Sequence, residues 1–483
     1  MLKVGGSQDQ LGQSMFVETR VVEPQSFTQQ SVRFNLPKSG ILDNNCYVTL
    51  SMTAADISQN FNLFSGISSV IETATLYFEN KVIAQTRNVN SLMALKNWYR
   101  NPSKRKQCMN TRIGSFTDFM VQESVNGTKG QYSLDKAIKG ISQSGDNFVV
   151  DGAFDIGTSA ATTPEFRIYL QDLFSGAFSM LQLPLGLLGQ FALVLDFAQD
   201  FAGERVSPIQ GDAFKTGNNI VADKCKMVCD LIYFDNKLDE QPVMERLEEE
   251  LKKGISLTFT DNVSVKVGSA FKKKDPAVVA GTKQADDITH LLGLNNQVCR
   301  RLFAAVTPTP DFVAGRPSNP LAGNCCSEGT QARDEEIQIT INNQPVYPSP
   351  VNLDCKTWNE LSQAFPTPFK AGVGLTSWEG QVFESGLTKY NMDISQCFGT
   401  DRTLHGHAFN TLNGAAHYYG FNLSKDVNSN EPMNGTAIGN QPVTIRMSRG
   451  RTNQQSKAYD LHFWAECERS LTMKDDQVFV SGA

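Results

Sequence analysis

Two histidines, His405 and His407, have a spacing that could place them together at a metal site. Residues two apart on a strand lie on the same face, so the two imidazoles would point the same way. A credible zinc site needs three or four ligands, and no carboxylate or cysteine stands near this pair at a recognised ligand spacing. We therefore predict polar positions on a strand or loop for both histidines, and no metal site.

Cysteines offer a second candidate for chemistry, because Cys225 and Cys229 could form a metal-binding or redox pair. Residues four apart on a strand share a face, but their Cα atoms lie about 13 Å apart, beyond disulfide reach. Cys229 is therefore predicted to be a small buried hydrophobe. Cys325 and Cys326 are adjacent in a polar stretch, where two free thiols are favoured over a strained bridge.

All ten cysteines are expected to be free thiols, with Cys46, Cys229 and Cys467 mostly buried on strands. Residues 1–6 lack the apolar core and cleavage site of a secretion signal, which indicates a reducing compartment and no secretion. The most apolar stretch, residues 176–198, is interrupted by polar residues and Pro184. We therefore predict no membrane-spanning helix.

Enzyme signatures are the next feature to look for, and none is found. The sequence contains no P-loop, dinucleotide-binding glycine fingerprint, H-E-x-x-H or G-x-S-x-G motif. No pairing of a cysteine with a histidine indicates a nucleophile. We expect no catalytic, cofactor-binding or metal-binding residue, no cofactor and no enzymatic activity.

Two basic clusters could bind an anionic partner: Arg100 with residues 104–106, and residues 272–274. They could contact nucleic acid or an anionic membrane, or they could be solvated loops that pair with a neighbouring copy. The net charge of −6 favours the second interpretation, so no sequence-specific nucleic-acid binding is expected. Trp98 and Tyr99 are expected to anchor a short helix rather than to stack on bases.

The histidines, cysteines and basic residues named above must be positioned by strands in which apolar and polar residues alternate. Clear examples are residues 32–36, 191–197, 337–341 and 459–466. Each pattern would bury one face of a sandwich strand and leave the other in water. The pair Asn342–Asn343 favours a tight hairpin, because asparagine tolerates positive φ.

Helices are expected to be few. The clearest spans residues 239–254, with Asp239 as N-cap, Pro242 in the first turn and Gly254 as the stop. A shorter helix is predicted from Asn90 to Trp98. We place the longer helix inside the first domain, before a last strand at residues 255–267, and a linker helix between two domains is the alternative.

Several segments together resemble the double jelly-roll major capsid proteins of double-stranded DNA viruses. In the N-terminal half these are residues 68–78, 90–95, 183–185, 191–197 and 229–234. In the C-terminal half, residues 420–424, 435–439 and 443–448 look similar to capsid proteins of Polinton-like viruses and virophages. The resemblance extends from about Phe27 to Val480 and consists of strand patterns, so no catalytic residue can be transferred.

This resemblance implies an all-β chain of two consecutive jelly-roll β-sandwiches, with a few short helices in loops. We expect an N-terminal assembly arm at residues 1–24, a first jelly roll at 25–267 and a second at 268–483. The arm is inferred because residues 1–13 contain few aliphatic side chains and alternation starts only near Val32.

The implied function is that of a major capsid protein whose pseudo-hexagonal homotrimers tile an icosahedral shell. The implied partners are copies of the chain itself, penton and minor capsid proteins, and an internal membrane contacted by the arm. The chain would be found in the virion, after assembly inside the host cell. A viral or cellular β-sandwich that binds a receptor or carbohydrate, such as a fibre or spike, is the alternative.

Overall fold

The computed structural model describes residues 15–53, 59–61, 66–90, 92–93, 120–125, 128–133, 141–144, 147–150, 163–174, 183–198, 206–208, 218–234, 237–271, 286–295, 297–308, 335–346, 350–352, 418–423, 436–449, 459–474 and 477–481. Two α-helices are α1 (Leu170–Leu173) and α2 (Lys237–Lys253), and short 3₁₀ turns cover Gly66–Val70 and Ala222–Lys224. Residues 89–90 and 92–93 are also helical, and the remaining regular structure in the described ranges is β, as the alternating pattern predicts.

The strands of the N-terminal half are short and numerous. In chain order they are β1 (Met15–Val22), β2 (Ser26–Phe27), β3 (Ser31–Asn35), β4 (Ile41–Leu50), β5 (Met52–Thr53), β6 (Gln59–Phe61), β7 (Ile71–Phe78), β8 (Lys81–Arg87), β9 (Met120–Val125), β10 (Thr128–Ser133), β11 (Ile141–Ser144), β12 (Asn147–Val150), β13 (Phe166–Tyr169), β14 (Leu183–Pro184), β15 (Phe191–Phe197), β16 (Val206–Pro208), β17 (Asn219–Ile220) and β18 (Lys226–Phe234).

The strands of the C-terminal half follow α2. In chain order they are β19 (Ile255–Phe271), β20 (Asp286–Leu292), β21 (Val298–Pro308), β22 (Glu335–Ile341), β23 (Gln344–Pro345), β24 (Val351–Asn352), β25 (Tyr418–Asn422), β26 (Thr436–Ala437), β27 (Val443–Arg449), β28 (Tyr459–Lys474) and β29 (Gln477–Ser481).

Eight principal strands of the N-terminal half form two antiparallel sheets. One sheet has the order β1–β18–β4–β13, and the other contains β3–β15–β7–β8, with β2 beside β3. Counted along the chain, these principal strands are 1-8-3-6 in the first sheet and 2-7-4-5 in the second. This is the strand order of a jelly roll, in which sheet neighbours come from distant parts of the chain.

The C-terminal half repeats the same arrangement. Its sheets have the orders β19–β28–β21–β25 and β20–β27–β22–β23, which again correspond to strands 1-8-3-6 and 2-7-4-5. The short strands β24, β26 and β29 pair with β22, β21 and β28 at the margins. The described strands therefore form two consecutive jelly rolls, as expected from the sequence.

Each jelly roll encloses an apolar core built from alternating positions. Val32 and Phe34 on β3 and Leu193 on β15 are fully buried in the first core. Ile339 on β22 and Ile445 on β27 are buried in the second. The burial of alternate positions is therefore confirmed on β3, β22 and β27, whereas β15 also buries Ala192 on its opposite face.

The hairpin between β22 and β23 forms as predicted. Asn342 and Asn343 have φ values of 52° and 62°. Ile341 pairs with Gln344 across this two-residue turn. Positive φ at both turn positions matches the twist of the flanking strands, which is why asparagine is favoured there.

The helix expected at residues 239–254 is α2. It ends at Lys253, and Gly254 with φ of +93° provides the left-handed stop that the sequence predicted. The helix begins two residues earlier than expected, so Asp239 and Pro242 lie inside it and neither marks its start. The shorter helix expected from Asn90 to Trp98 is present where it is described, at residues 89–90 and 92–93, and residues 91 and 94–98 lie outside the described residues.

The strand that follows α2 belongs to the second jelly roll, which corrects the interpretation of residues 255–267 as the last strand of the first. In β19, Ile255 pairs with Met473 and the ladder continues to Val267 opposite Leu461. These partners are about 200 positions away in the chain, so local sequence patterns could not reveal them. We therefore propose a division between the jelly rolls at α2 in place of one at residue 267.

The N-terminal arm expected at residues 1–24 is likewise corrected for its second half. Met15–Val22 form β1, which pairs along its whole length with β18, from Met15 opposite Phe234 to Val22 opposite Met227. This segment is the first principal strand of the first jelly roll. The sequence of β1 shows no clear alternation, because several of its apolar residues lie at exposed positions. Backbone pairing with β18 holds the strand in the sheet. Residues 1–14 lie outside the described residues.

Candidate functional site

Most residues that the sequence singled out for chemistry lie outside the described residues. These are Trp98, Tyr99, Arg100, residues 104–106, residues 272–274, Cys325, Cys326, His405 and His407. Their expected roles therefore remain predictions. Among the described residues, no group of three His, Cys, Asp or Glu side chains is placed to hold a metal ion.

Two of the singled-out cysteines are described, and both are buried. Cys225 directly precedes β18, Cys229 lies within it, and both are free thiols with 0% exposure. Burial raises the pKa of Cys225 to about 12, so this thiol stays protonated at neutral pH and is a poor nucleophile. The burial expected for Cys46, Cys229 and Cys467 is confirmed.

The first surface that stands out is an exposed apolar strand, which we call the β1 edge. It consists of Met15, Phe16, Val17 and Val21, with exposed fractions of 56%, 45%, 56% and 54%. β1 is the terminal strand of its sheet among the described strands. An exposed apolar strand at a sheet edge is a ready surface for pairing or packing with another chain.

Polar contacts hold β1 in its own sheet, and Phe16 also stacks on Tyr233 of β18 with the ring centroids 5.6 Å apart, whereas Met15, Val17 and Val21 stay exposed. Thr19 Oγ1 donates a hydrogen bond to Asp230 Oδ1 at 2.7 Å. Arg20 Nη1 donates to Ser39 Oγ at 3.0 Å. The strand is therefore held by contacts within its own jelly roll.

The second feature is the contact between the two jelly rolls, which we call the joint. One face of β28 packs into the second core, but the residues on its opposite face, His462, Trp464 and Glu466, are also buried. Trp464 is 0% exposed, and its Nε1 donates to the carbonyl oxygen of Arg87 at 3.4 Å. Because Arg87 ends β8, this face of the second jelly roll packs against the first.

Ion pairs reinforce the same region. They are Asp261 with Arg469 at 3.0 Å, Arg300 with Glu468 at 2.8 Å, and Arg301 with Glu466. Asp261 is only 3% exposed and Arg469 14%, so this pair is screened from water. Breaking a buried pair by removing one partner leaves an uncompensated charge and is strongly destabilising.

Asp261 also links the two jelly rolls directly. Burial raises the pKa of Asp261 to about 6, against the opposing effects of Arg469 and of hydrogen bonds from the backbone at Asn262 and Gln85. Gln85 lies on β8 of the first jelly roll, whereas Asp261 lies on β19 of the second. Hydrogen bonding and packing together therefore hold the two jelly rolls at this contact.

Neither feature was found from the sequence. In β28 the polar residues His462 and Glu466 alternate with apolar ones, which indicates a solvent face. Trp464 on the same face was the available signal that the face is covered, because a large apolar side chain is seldom left in water. For the β1 edge, the consecutive Met15, Phe16 and Val17 were the corresponding signal.

Two solved structures share this architecture over nearly the whole chain. The match to a quasi-atomic model of the PBCV-1 virus capsid covers 98% of this chain and 97% of the capsid chain, with a TM-score of 0.54 and 11% identity. The match to the cryo-EM structure of the Sputnik virophage covers 99% of this chain and 91% of the virophage chain, with a TM-score of 0.55 and 12% identity. The likeness establishes the fold, which is a double jelly roll.

Comparisons of the sequence with known proteins find no match. No protein-family model matches it, and no curated protein matches it. The likeness therefore lies in strand order and packing, which persist at identities where sequence comparison finds nothing.

Proposed function

We propose that this chain is the major capsid protein of a double-stranded DNA virus. The observation that carries the proposal is the presence of two jelly rolls with identical strand order in one chain. The likeness to the PBCV-1 virus capsid, which extends over 98% of the chain, supports it. The role is structural, and the proposal includes no enzymatic activity and no cofactor.

The subunit assembles as a homotrimer. Two similar jelly rolls fill two of the six positions of a pseudo-hexagon, so three chains related by a threefold axis close the ring. The joint supports this, because Trp464 and Asp261 of the second jelly roll bond to Arg87 and to the backbone at Gln85 of the first, which holds the two jelly rolls as one building unit. Permanent interfaces of this kind bury more than about 2,000 Å².

The β1 edge supports a role in contacts between subunits. Its four apolar side chains would be costly to leave in water, and a neighbouring copy in the shell would cover them. Residues 1–14 directly precede this strand, so they would lie close to the same contact. We therefore restrict the assembly arm to residues 1–14 and keep its proposed contacts with neighbours, minor capsid proteins or an internal membrane.

The remaining partners follow from a closed shell. Penton and minor capsid proteins would occupy the vertices and seams, and the chain would reside in the virion after assembly inside the host cell. The net charge of −6 supports a shell that encloses DNA without binding its phosphates strongly.

The trimer can be tested by light scattering on the purified protein over a range of concentrations. We expect a mass of three times the chain mass of 53.2 kDa, independent of dilution. An obligate interface is expected to persist on dilution, because its subunits have no stable separate form. A monomer at every concentration would contradict the proposal and favour a receptor- or carbohydrate-binding β-sandwich.

A further inference from the structure

Each jelly roll contains a pair of cysteines that face each other across two neighbouring strands. In the first jelly roll Cys46 on β4 pairs with Cys229 on β18. In the second, Cys299 on β21 pairs with Cys467 on β28. Both pairs join the third and the eighth principal strand of their jelly roll, so the two pairs occupy equivalent places in the fold.

The local strand geometry is also alike in the two jelly rolls. The ladder shifts register between Cys229 and Leu231 in the first and between Cys299 and Arg301 in the second. Each pair therefore lies beside a β-bulge, an irregularity that re-aims nearby side chains. The repetition of both the strand pair and the bulge indicates a feature of the fold and not a coincidence of composition.

The sulfur atoms lie close together and away from water. All four cysteines are free and 0% exposed. The Sγ atoms of Cys299 and Cys467 are 3.0 Å apart, so a shift of about 1 Å would bring them to the length of a disulfide bond. In the first jelly roll, hydrogen bonding to Cys229 and burial both raise the pKa of Cys46, which favours the protonated thiol.

We propose that these two pairs are latent disulfide sites, which are dithiols in a reducing compartment and close when the protein meets a low-molecular-weight disulfide such as oxidised glutathione. One cysteine, as its thiolate, attacks the small disulfide, forms a mixed disulfide and releases one small thiol. The second cysteine then loses its proton, attacks the protein sulfur of the mixed disulfide and releases the second small thiol. The protein loses two hydrogen atoms per bond, and the small disulfide gains them.

Burial of the thiols limits the rate at which the disulfides form. The positions of the paired cysteines in the chain determine how much each bond stabilises the protein. Thiolates are the attacking species, so buried protonated thiols react only when the strands open locally. Once closed, the bond of Cys299 with Cys467 spans 168 positions of the chain. A disulfide that closes a long loop restricts the unfolded chain most, so oxidation should raise the melting temperature by roughly 5–10 °C.

The test uses the full-length protein, prepared with reductant that is then removed. The protein is incubated with oxidised glutathione at room temperature and a few degrees below its melting temperature, where local opening gives access. Thiols are counted after denaturation, and bridged peptides are mapped by mass spectrometry. We expect ten thiols before oxidation, a loss of four, and two bridged peptides that join Cys46 with Cys229 and Cys299 with Cys467.

Alanine variants separate the two sites. Cys46→Ala and Cys299→Ala should each abolish one bridge and leave the other, whereas the control Cys225→Ala, at a buried cysteine outside both pairs, should retain both. Ten thiols after incubation at the higher temperature, or bridges that join other cysteines, would overturn the inference. The result is independent of the proposed function, because a monomer could also form both bonds.

Discussion

Removal of residues 1–22 is expected to destroy the stability of the first jelly roll. The deletion takes away β1, which pairs with β18 along its whole length, and exposes the edge of β18. It also removes Val22, which packs against the first core. Several ladder hydrogen bonds at about 1 kcal/mol each would be lost, so the free energy of unfolding should fall by about 5 kcal/mol or more. Thermal unfolding, or the recovery of soluble protein, measures this loss.

Deletion of residues 1–13 is the matched control, because it leaves β1 complete. We expect its melting temperature and its trimer to be nearly unchanged, and its assembly into shells to be impaired. Equal melting temperatures for the two truncated proteins would show that β1 contributes nothing to the first jelly roll. Normal shells from the shorter deletion would exclude an assembly role for the arm.

Replacement of Trp464 by alanine should be the most damaging single substitution at the joint. The side chain is fully buried, and its indole donates a hydrogen bond to Arg87 of the other jelly roll. Truncation of a buried aromatic residue leaves a cavity and costs about 3–5 kcal/mol. We expect a clear fall in the melting temperature, measured by calorimetry or by intrinsic fluorescence.

Leu291→Ala is a suitable control for this variant. Leu291 is also a large apolar residue of the second jelly roll, on β20, but it is 61% exposed. Its loss should change the free energy of unfolding by about 0.5 kcal/mol or less. If the two alanine variants melt at the same temperature, Trp464 does not hold the joint.

The strands that bury a single face were predictable from the sequence. Alternation identified β3, β15 and β22, because each packs one side onto its own core and leaves most of the other side partly exposed. The Asn342–Asn343 turn was predictable for a local reason as well, since its two positive φ values depend only on those two residues. The end of α2 at Gly254 was predictable for the same local reason, because the positive φ there depends on that glycine alone.

Features that depend on distant partners were not predictable. β19 could not be assigned to a jelly roll, because its pairing with β28 joins segments about 200 positions apart. β28 buries both of its faces. The polar residues that alternate along it predicted a solvent-exposed face, but that face packs against the other jelly roll. The cysteine pairs show the same limit: spacing within one strand excluded a bond of Cys225 with Cys229, but only the register brings Cys46 opposite Cys229.

The central claim is that two jelly rolls in one chain form the building unit of a pseudo-hexagonal capsomer. Electron microscopy of the purified protein tests it most directly, because class averages show both the symmetry and the number of domains. We predict particles with threefold symmetry and a hexagonal outline, in which six jelly rolls surround the axis. Isolated two-lobed particles, each the size of a single chain, would contradict the claim.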